Sequence, residues 1–154
     1  MKTRNWHIAQ LNIASMLGED INDPIMSEFV AQLDTINALA EQSRGFVWRL
    51  KSDDGNATSY NPYHNDRIIV NFSVWQNADD LKDYVYKSAH TAVMKDRKKW
   101  FENFGQAYYV LWNIPAGYIP SLDEAVERLA YLQQKGPTGY AFDFKNIVEP
   151  VPVI

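Results

Sequence analysis

Residues 80–120 read DLKDYVYKSAHTAVMKDRKKWFENFGQAYYVLWNIPAGYIP, and this stretch decides how the rest of the chain is arranged. Leu81, Tyr84 and Val85 share one side of a helix that Asn77 can cap. That stripe loses phase near residues 88–91. Val93, Arg97, Trp100 and Phe104 then form a second stripe, so the spacing predicts a helix with a break, carrying His90, Arg97, Trp100 and Phe101. Over 107–114, Tyr108, Val110, Trp112 and Ile114 alternate with Ala107, Tyr109, Leu111 and Asn113, which is the period of a strand. A Pro-Gly-Pro turn follows, at Pro115, Gly117 and Pro120.

Upstream lies the first half of the sheet that this unit completes. Residues 6–13 read as a strand with His7, Ala9, Leu11 and Ile13 on one face and Trp6, Ile8, Gln10 and Asn12 on the other. Asp23 is a fitting N-cap and Pro24 a fitting first helical residue. Met26, Phe29, Val30, Leu33, Ile36 and Ala40 then recur at helical steps until Gly45. Residues 46–51 and 67–75 are further strands, joined by a segment at 52–66 long enough to suggest a functional loop. Downstream, Ser121 and Glu124 form a capping box that opens a last helix with Leu122, Ala125, Val126, Leu129 and Leu132 inward; Gly136 and Pro137 end it. The tail to Ile154 reads as an extended arm.

The order β-α-β-β-α-β predicts an α+β fold, a ferredoxin-like antiparallel sheet with an extra C-terminal helix. Residues 1–120 form the ferredoxin-like core and 121–154 the C-terminal helix and tail of one domain. Helices on one face leave the other uncovered, and a wide apolar surface in water is unfavourable. Two copies packed sheet to sheet answer that need, so the expectation is a homodimer, a dimeric α/β barrel.

Composition narrows the function classes. At 154 residues and 46% hydrophobic content, the chain can bury a core of its own. A net charge of −4 argues against nucleic acid, which requires clustered Lys and Arg. With no cysteine, disulfides, thiolate nucleophiles and thiolate metal sites are excluded. No apolar run approaches a membrane span, and no signal-peptide h-region follows the first residues, so the expected location is cytoplasmic. The P-loop, the nucleophile elbow, the dinucleotide fingerprint and the zincin motif are all missing.

Strand register offers the sharpest inference about a site. With the more apolar residues of each strand set against the helices, the other face shows Trp6, Arg49, Asn71, Trp75, Tyr109 and Asn113 among its members. Aromatic rings with a few amides and one Arg suit either the lining of a small-molecule cavity or an interface. His90 and Arg97, seven residues apart, are the catalytic candidates. His90 is a general base, a haem ligand or a helix cap; Arg97 binds a ligand acid or pairs with Asp or Glu. The three histidines are too scattered in sequence for a convincing metal site, although the fold could bring two of them together.

His90, Asp96-Arg97, Trp100-Phe101, Leu111-Trp112, residues 115–120, Glu124-Ala125, Arg128-Leu129, Gly136-Pro137-Thr138 and Ala141-Phe142 together make the chain resemble a bacterial family, domain of unknown function 3291, across nearly its whole length. That family is placed in the dimeric α/β-barrel superfamily, with cofactor-free antibiotic-biosynthesis-type monooxygenases, haem-degrading monooxygenases and chlorite-dismutase-like haem proteins. The resemblance implies the fold and the dimer. It implies the activity far less, because fold does not fix function. Haem-degrading relatives carry a ligating His on the second helix, the region of His90. Two functions follow as expectations. One is a monooxygenase-like oxidoreductase, haem-dependent or cofactor-free, acting on an aromatic or apolar small molecule. The other is a non-catalytic dimeric ligand-binding or stress-associated module.

Overall fold

The computed structural model describes residues 5–51, 60–87 and 95–150. Along the chain come β1 (Trp6–Ser15), α1 (Ser27–Gln42), β2 (Phe46–Arg49), β3 (Ile68–Trp75), α2 (Ala78–Lys87), β4 (Tyr109–Pro115) and α3 (Leu122–Lys135). The strands form one antiparallel sheet in the order β2-β3-β1-β4, the ferredoxin-like α+β arrangement expected. β1 is central, paired with β3 from Ile8 to Ser15 and with β4 from Trp6 to Asn12.

Local chemistry sets the element ends. The Asp23 carboxylate accepts from Ile25 N at 3.1 Å, so a 3-10 turn over Pro24–Met26 leads into α1. Asn77 accepts from Asp80 N at 2.8 Å to open α2, and Ser121 from Glu124 N at 3.1 Å to open α3. Gly45 turns the chain from α1 into β2 at φ 84°, and a Cβ there would also run into the Asp80 side chain.

The two faces of the sheet are covered differently from the expectation. Ala9, Leu11, Phe72, Val74, Val110 and Trp112 form the more apolar face, and they pack on Ala125, Leu129 and Leu132 of α3, not on α1 and α2. Removing each large side chain here from water contributes about 1.5–3 kcal/mol. α1 and α2 lie across the mixed face, where Ile8, Trp75 and Leu111 meet Ala40 and Leu81. The physical reason is polarity. α3 offers small and aliphatic side chains that dry a uniformly apolar surface, while the amides opposite find their partners within the sheet and leave α1 and α2 to cover the apolar residues around them. With α3 in place, the apolar face is already covered within one chain, which removes the open-surface reason for pairing two copies.

Three local expectations also change. The β2–β3 register shifts between Phe46 and Trp48, so this bulge sends Phe46 to the mixed face beside Trp75 and Val47 to the apolar cluster, the reverse of strict alternation. Val30 is exposed, one position off the α1 stripe that Phe29, Leu33 and Ile36 follow. The predicted break near 88–91 lies outside the described residues; the described end of the second half-helix is a helical Lys95 followed by a 3-10 turn over Arg97–Lys99. Beyond it, Leu17 N donates to Trp100 O at 2.7 Å and Glu102 N to Ser15 O at 2.9 Å. The backbone there pairs with the end of β1, so Trp100 and Phe104 join separate clusters.

The arm after α3 wraps the edge of β4. Leu111 and Phe142 exchange backbone hydrogen bonds of 2.8 and 2.9 Å, and Ile147 and Val148 then pack at the mixed face. Helix and arm are fastened by one network: Glu124 accepts from Trp112 Nε1 at 3.0 Å and from Tyr118 Oη at 2.6 Å, and sits 3.6 Å from Arg128. Arg128 in turn lies 3.8 Å over the Tyr140 ring and donates to Tyr140 O at 2.8 Å. Trp112 is fully buried, so an indole N–H deprived of its acceptor carries the desolvation cost of an unmade bond. Glu124→Ala is expected to lower the unfolding free energy by about 1–3 kcal/mol in urea titrations, and Glu124→Gln by less. An unchanged midpoint for Glu124→Ala would contradict this account of the fastening.

Candidate functional site

Between the mixed face of the sheet and the helices lies a cavity of about 190 Å³. The sheet supplies its floor through Gln10, Asn71, Ser73, Trp75, Tyr109 and Leu111; α1 contributes Phe29, Leu33, Ile36 and Asn37, and α2 Leu81 and Tyr84. Arg49, Arg97, Phe101 and, from the C-terminal arm, Phe144 complete the wall. Except for Asn37, these helical residues come from the very stripes that spacing marks as inward.

A buried polar network organises the floor. Gln10 on β1 donates from Nε2 to Asn71 Oδ1 at 2.7 Å and to Ser73 Oγ at 2.8 Å, both on the neighbouring β3. Trp75 Nε1 donates to the same Ser73 Oγ at 2.9 Å. With both lone pairs of that hydroxyl engaged, its hydrogen is the remaining donor, and no described residue accepts it. Gln10 and Ser73 are buried, whereas Asn71 is exposed where the cavity meets solvent.

Aromatic rings surround this network at contact distances. Trp75 stacks on Tyr84 at 5.1 Å between centroids and meets Phe46 edge-on at 5.5 Å. A second chain of rings runs from Tyr108 to Tyr109 at 5.5 Å and on to Phe144 at 5.6 Å. Burial pushes the Tyr84 phenol up to about 12, against a smaller opposing pull from Arg49. Burial also raises Tyr109, whose hydroxyl accepts from Phe144 N at 3.1 Å. Both phenols are therefore neutral donors at physiological pH. The charge in the wall is cationic: Arg49 Nε lies 3.5 Å from Glu41, and the Arg97 guanidinium lies 5.1 Å over the Tyr108 ring.

Of the residues nominated from sequence, Arg49, Asn71, Trp75, Tyr109 and Arg97 line the cavity together. Trp6 and Asn113 do not. Trp6 pairs with Pro115 at the far end of β1, and Asn113 donates its amide to Val148 O at 2.7 Å, where the arm covers the sheet. His90 falls outside the described residues. Gln10, Ser73 and Tyr84 belong to the site but were not singled out. Their signal was present in the alternation of β1 and β3, which sets Gln10 opposite Ser73, and in the α2 stripe.

Among the described residues no group of His, Asp and Glu could hold a metal ion. Nor do the described lining residues fit a haem. They include no histidine or methionine, the Tyr84 hydroxyl donates to Ile36 O at 3.3 Å, and the volume suits a far smaller molecule than a tetrapyrrole. No described helix is long and apolar enough to cross a membrane.

Comparison with known proteins adds a family and a set of distant folds. The family model described as Domain of unknown function (DUF3291) matches residues 7–152. No curated protein matches the chain significantly. Among solved structures, SnoaB, a cofactor-independent oxygenase from Streptomyces nogalater, is 14% identical, covering 75% of this chain and 96% of its own at a TM-score of 0.42. A putative antibiotic biosynthesis monooxygenase from Nitrosomonas europaea is 12% identical, with coverage of 79% and 99% and a TM-score of 0.47. Likenesses of this strength stop short of assigning an activity.

The burial of Tyr84 has a direct spectroscopic consequence. The native phenol holds its proton beyond the ordinary range, so the stability it confers is complete below about pH 10 and is lost as pH rises toward 12. In an ultraviolet tyrosinate titration, wild type is expected to show a late-ionising phenol near pH 12 that Tyr84→Phe lacks. Ionisation of Tyr84 in the ordinary range would show that the cavity is wetter than its packing implies.

Proposed function

We propose that this chain, which belongs to the DUF3291 family, binds a flat, mainly apolar small molecule between its sheet and helices and acts on it as a monooxygenase-like oxidoreductase. The observation that carries this reading is the cavity of about 190 Å³, walled by rings and floored by the Gln10–Asn71–Ser73–Trp75 network. Apolar walls with a few oriented polar groups are what a site for a ring bearing oxygen needs. A cavity of roughly 150 Å³ accommodates benzene, so one ring or two fused rings match this one.

Roles follow from position. Trp75 and Tyr109 offer ring faces to the ligand, and Asn71 with the Ser73 hydroxyl meets a ligand oxygen. Arg49 and Arg97 supply positive charge to favour an ionised form, the state in which an aromatic ring gives up electrons most readily. His90 stays the nominated proton acceptor on the sequence alone. The oxidoreductase half of the reading is supported by the resemblance of the chain's motifs to a superfamily rich in monooxygenases. The homodimer has the same support, and a sedimentation mass of twice the 17.8 kDa chain would establish it.

A panel of one- and two-ring hydroxyaromatics, followed by calorimetry and a dioxygen electrode, tests both halves. Binding with saturable dioxygen uptake is expected, and Ile36→Phe, which fills the cavity from α1, should weaken binding about tenfold or more. Binding without uptake for every ligand would favour the non-catalytic module. Binding that Ile36→Phe leaves unchanged would place the ligand elsewhere.

A further inference from the structure

We infer that the ligand of this cavity is an aromatic anion, one or two rings carrying a carboxylate or similarly acidic oxygen, held through that group by Arg97. The inference rests on the reading of the cavity as the ligand site and specifies its chemistry.

Charge segregation is the first observation. The chain is acidic, with 19 Asp and Glu against 15 Lys and Arg. Yet the described residues of the cavity wall include Arg49 and Arg97 and no Asp or Glu. The Tyr84 and Tyr109 phenols in the wall hold their protons, so they provide no counter-charge either. A ligand entering this space meets positive charge, amides and hydroxyls.

The second observation separates the two arginines. Arg49 is already committed to Glu41 at 3.5 Å. Arg97 is half-buried, and among the described residues no carboxylate lies within ion-pair distance of it; its neighbour Asp96 pairs with Lys99 at 3.5 Å. What holds the guanidinium is the Tyr108 ring, 5.1 Å from its centre. An arginine resting on an aromatic ring keeps its N–H edges free, and those edges match a carboxylate bidentately. A partly desolvated cation without a counter-ion is unfavourable. A ligand anion would relieve that cost and gain a hydrogen-bonded partner, with its rings against Tyr109 and Trp75. Arg97 is thus the binding residue for the acid, and the aromatic walls are the binding surface for the ring.

Paired probes isolate the charge: 2-naphthoate against 2-naphthamide, with benzoate against benzamide as the smaller pair, titrated by calorimetry into the whole protein. The acid of each binding pair should bind about tenfold or more tightly than its amide, and added salt should narrow the gap. Arg97→Gln should remove that preference by weakening the acid far more than the amide, and Arg97→Lys should restore part of it. Equal binding of acid and amide, or a preference that survives Arg97→Gln in a folded variant, overturns the inference and leaves an aromatic cavity standing. Failure of all four probes to bind overturns the underlying reading and the inference together.

Discussion

A sheet has two faces, and in this chain they differ in what can be asked to cover them. One presents Ala9, Leu11, Phe72, Val74, Val110 and Trp112, a surface that any dry partner satisfies. The other places Gln10, Asn71 and Ser73 among rings, and buried amides and hydroxyls must have hydrogen-bond partners. That inequality arranges the molecule. α3 takes the apolar face in close packing, while α1 and α2 rest on the rims of the mixed face and leave a cavity above its polar centre. The network converging on Ser73 Oγ meets the demand of the polar groups from within the sheet, without a helix having to press onto them.

The motifs that mark the family mostly pack elements together, on both faces of the sheet. Trp112, Glu124, Arg128 and Tyr140 form one fastening, and Leu111 and Phe142 another. Their job is to hold helix and arm onto the sheet. This explains why such motifs specify a fold and remain silent about a ligand. The cavity is lined by a different set of residues, Gln10, Asn71, Ser73, Trp75, Tyr84, Tyr109 and Arg97 among them. Arg97 is also a motif residue, and with Phe101 and Leu111 it brings the family's motifs into the cavity lining.

Alternation along β1, β3 and β4 carried most of the fold and about half of the site. Period-two patterning put Gln10, Asn71, Trp75 and Tyr109 on one face because each strand obeys it locally. Sequence alone could not say which helix lies on which face, since that choice depends on the long-range return of α3. The β2 bulge escaped for a similar reason: Phe46–Val47–Trp48 alternate well, and only pairing with Trp75 and Val74 shows the extra residue. Trp6 and Asn113 lie on the correct face, but Trp6 sits at the far end of β1, and Asn113 is bonded by an arm whose course depends on the Leu111–Phe142 contact, invisible to local pattern. The second half-helix ends sooner than its spacing suggests: Trp100 and Phe104 keep the helical step, but beyond Lys99 the backbone turns to bond Leu17 and Ser15 at the end of β1.

The two faces also make the central claim measurable. Trp75 Nε1 donates to Ser73 in the cavity floor, while Trp112 Nε1 donates to Glu124 on the opposite face, so the two indole N–H signals report the two sides of one sheet. Adding an aromatic ligand to isotope-labelled protein should shift the Trp75 indole and the Gln10 and Asn71 side-chain amides by ring current, with Trp112 unmoved. Shifts confined to Trp112 and the α3 side, or none at the Trp75 indole with ligand bound, would contradict a site between the sheet and α1 and α2.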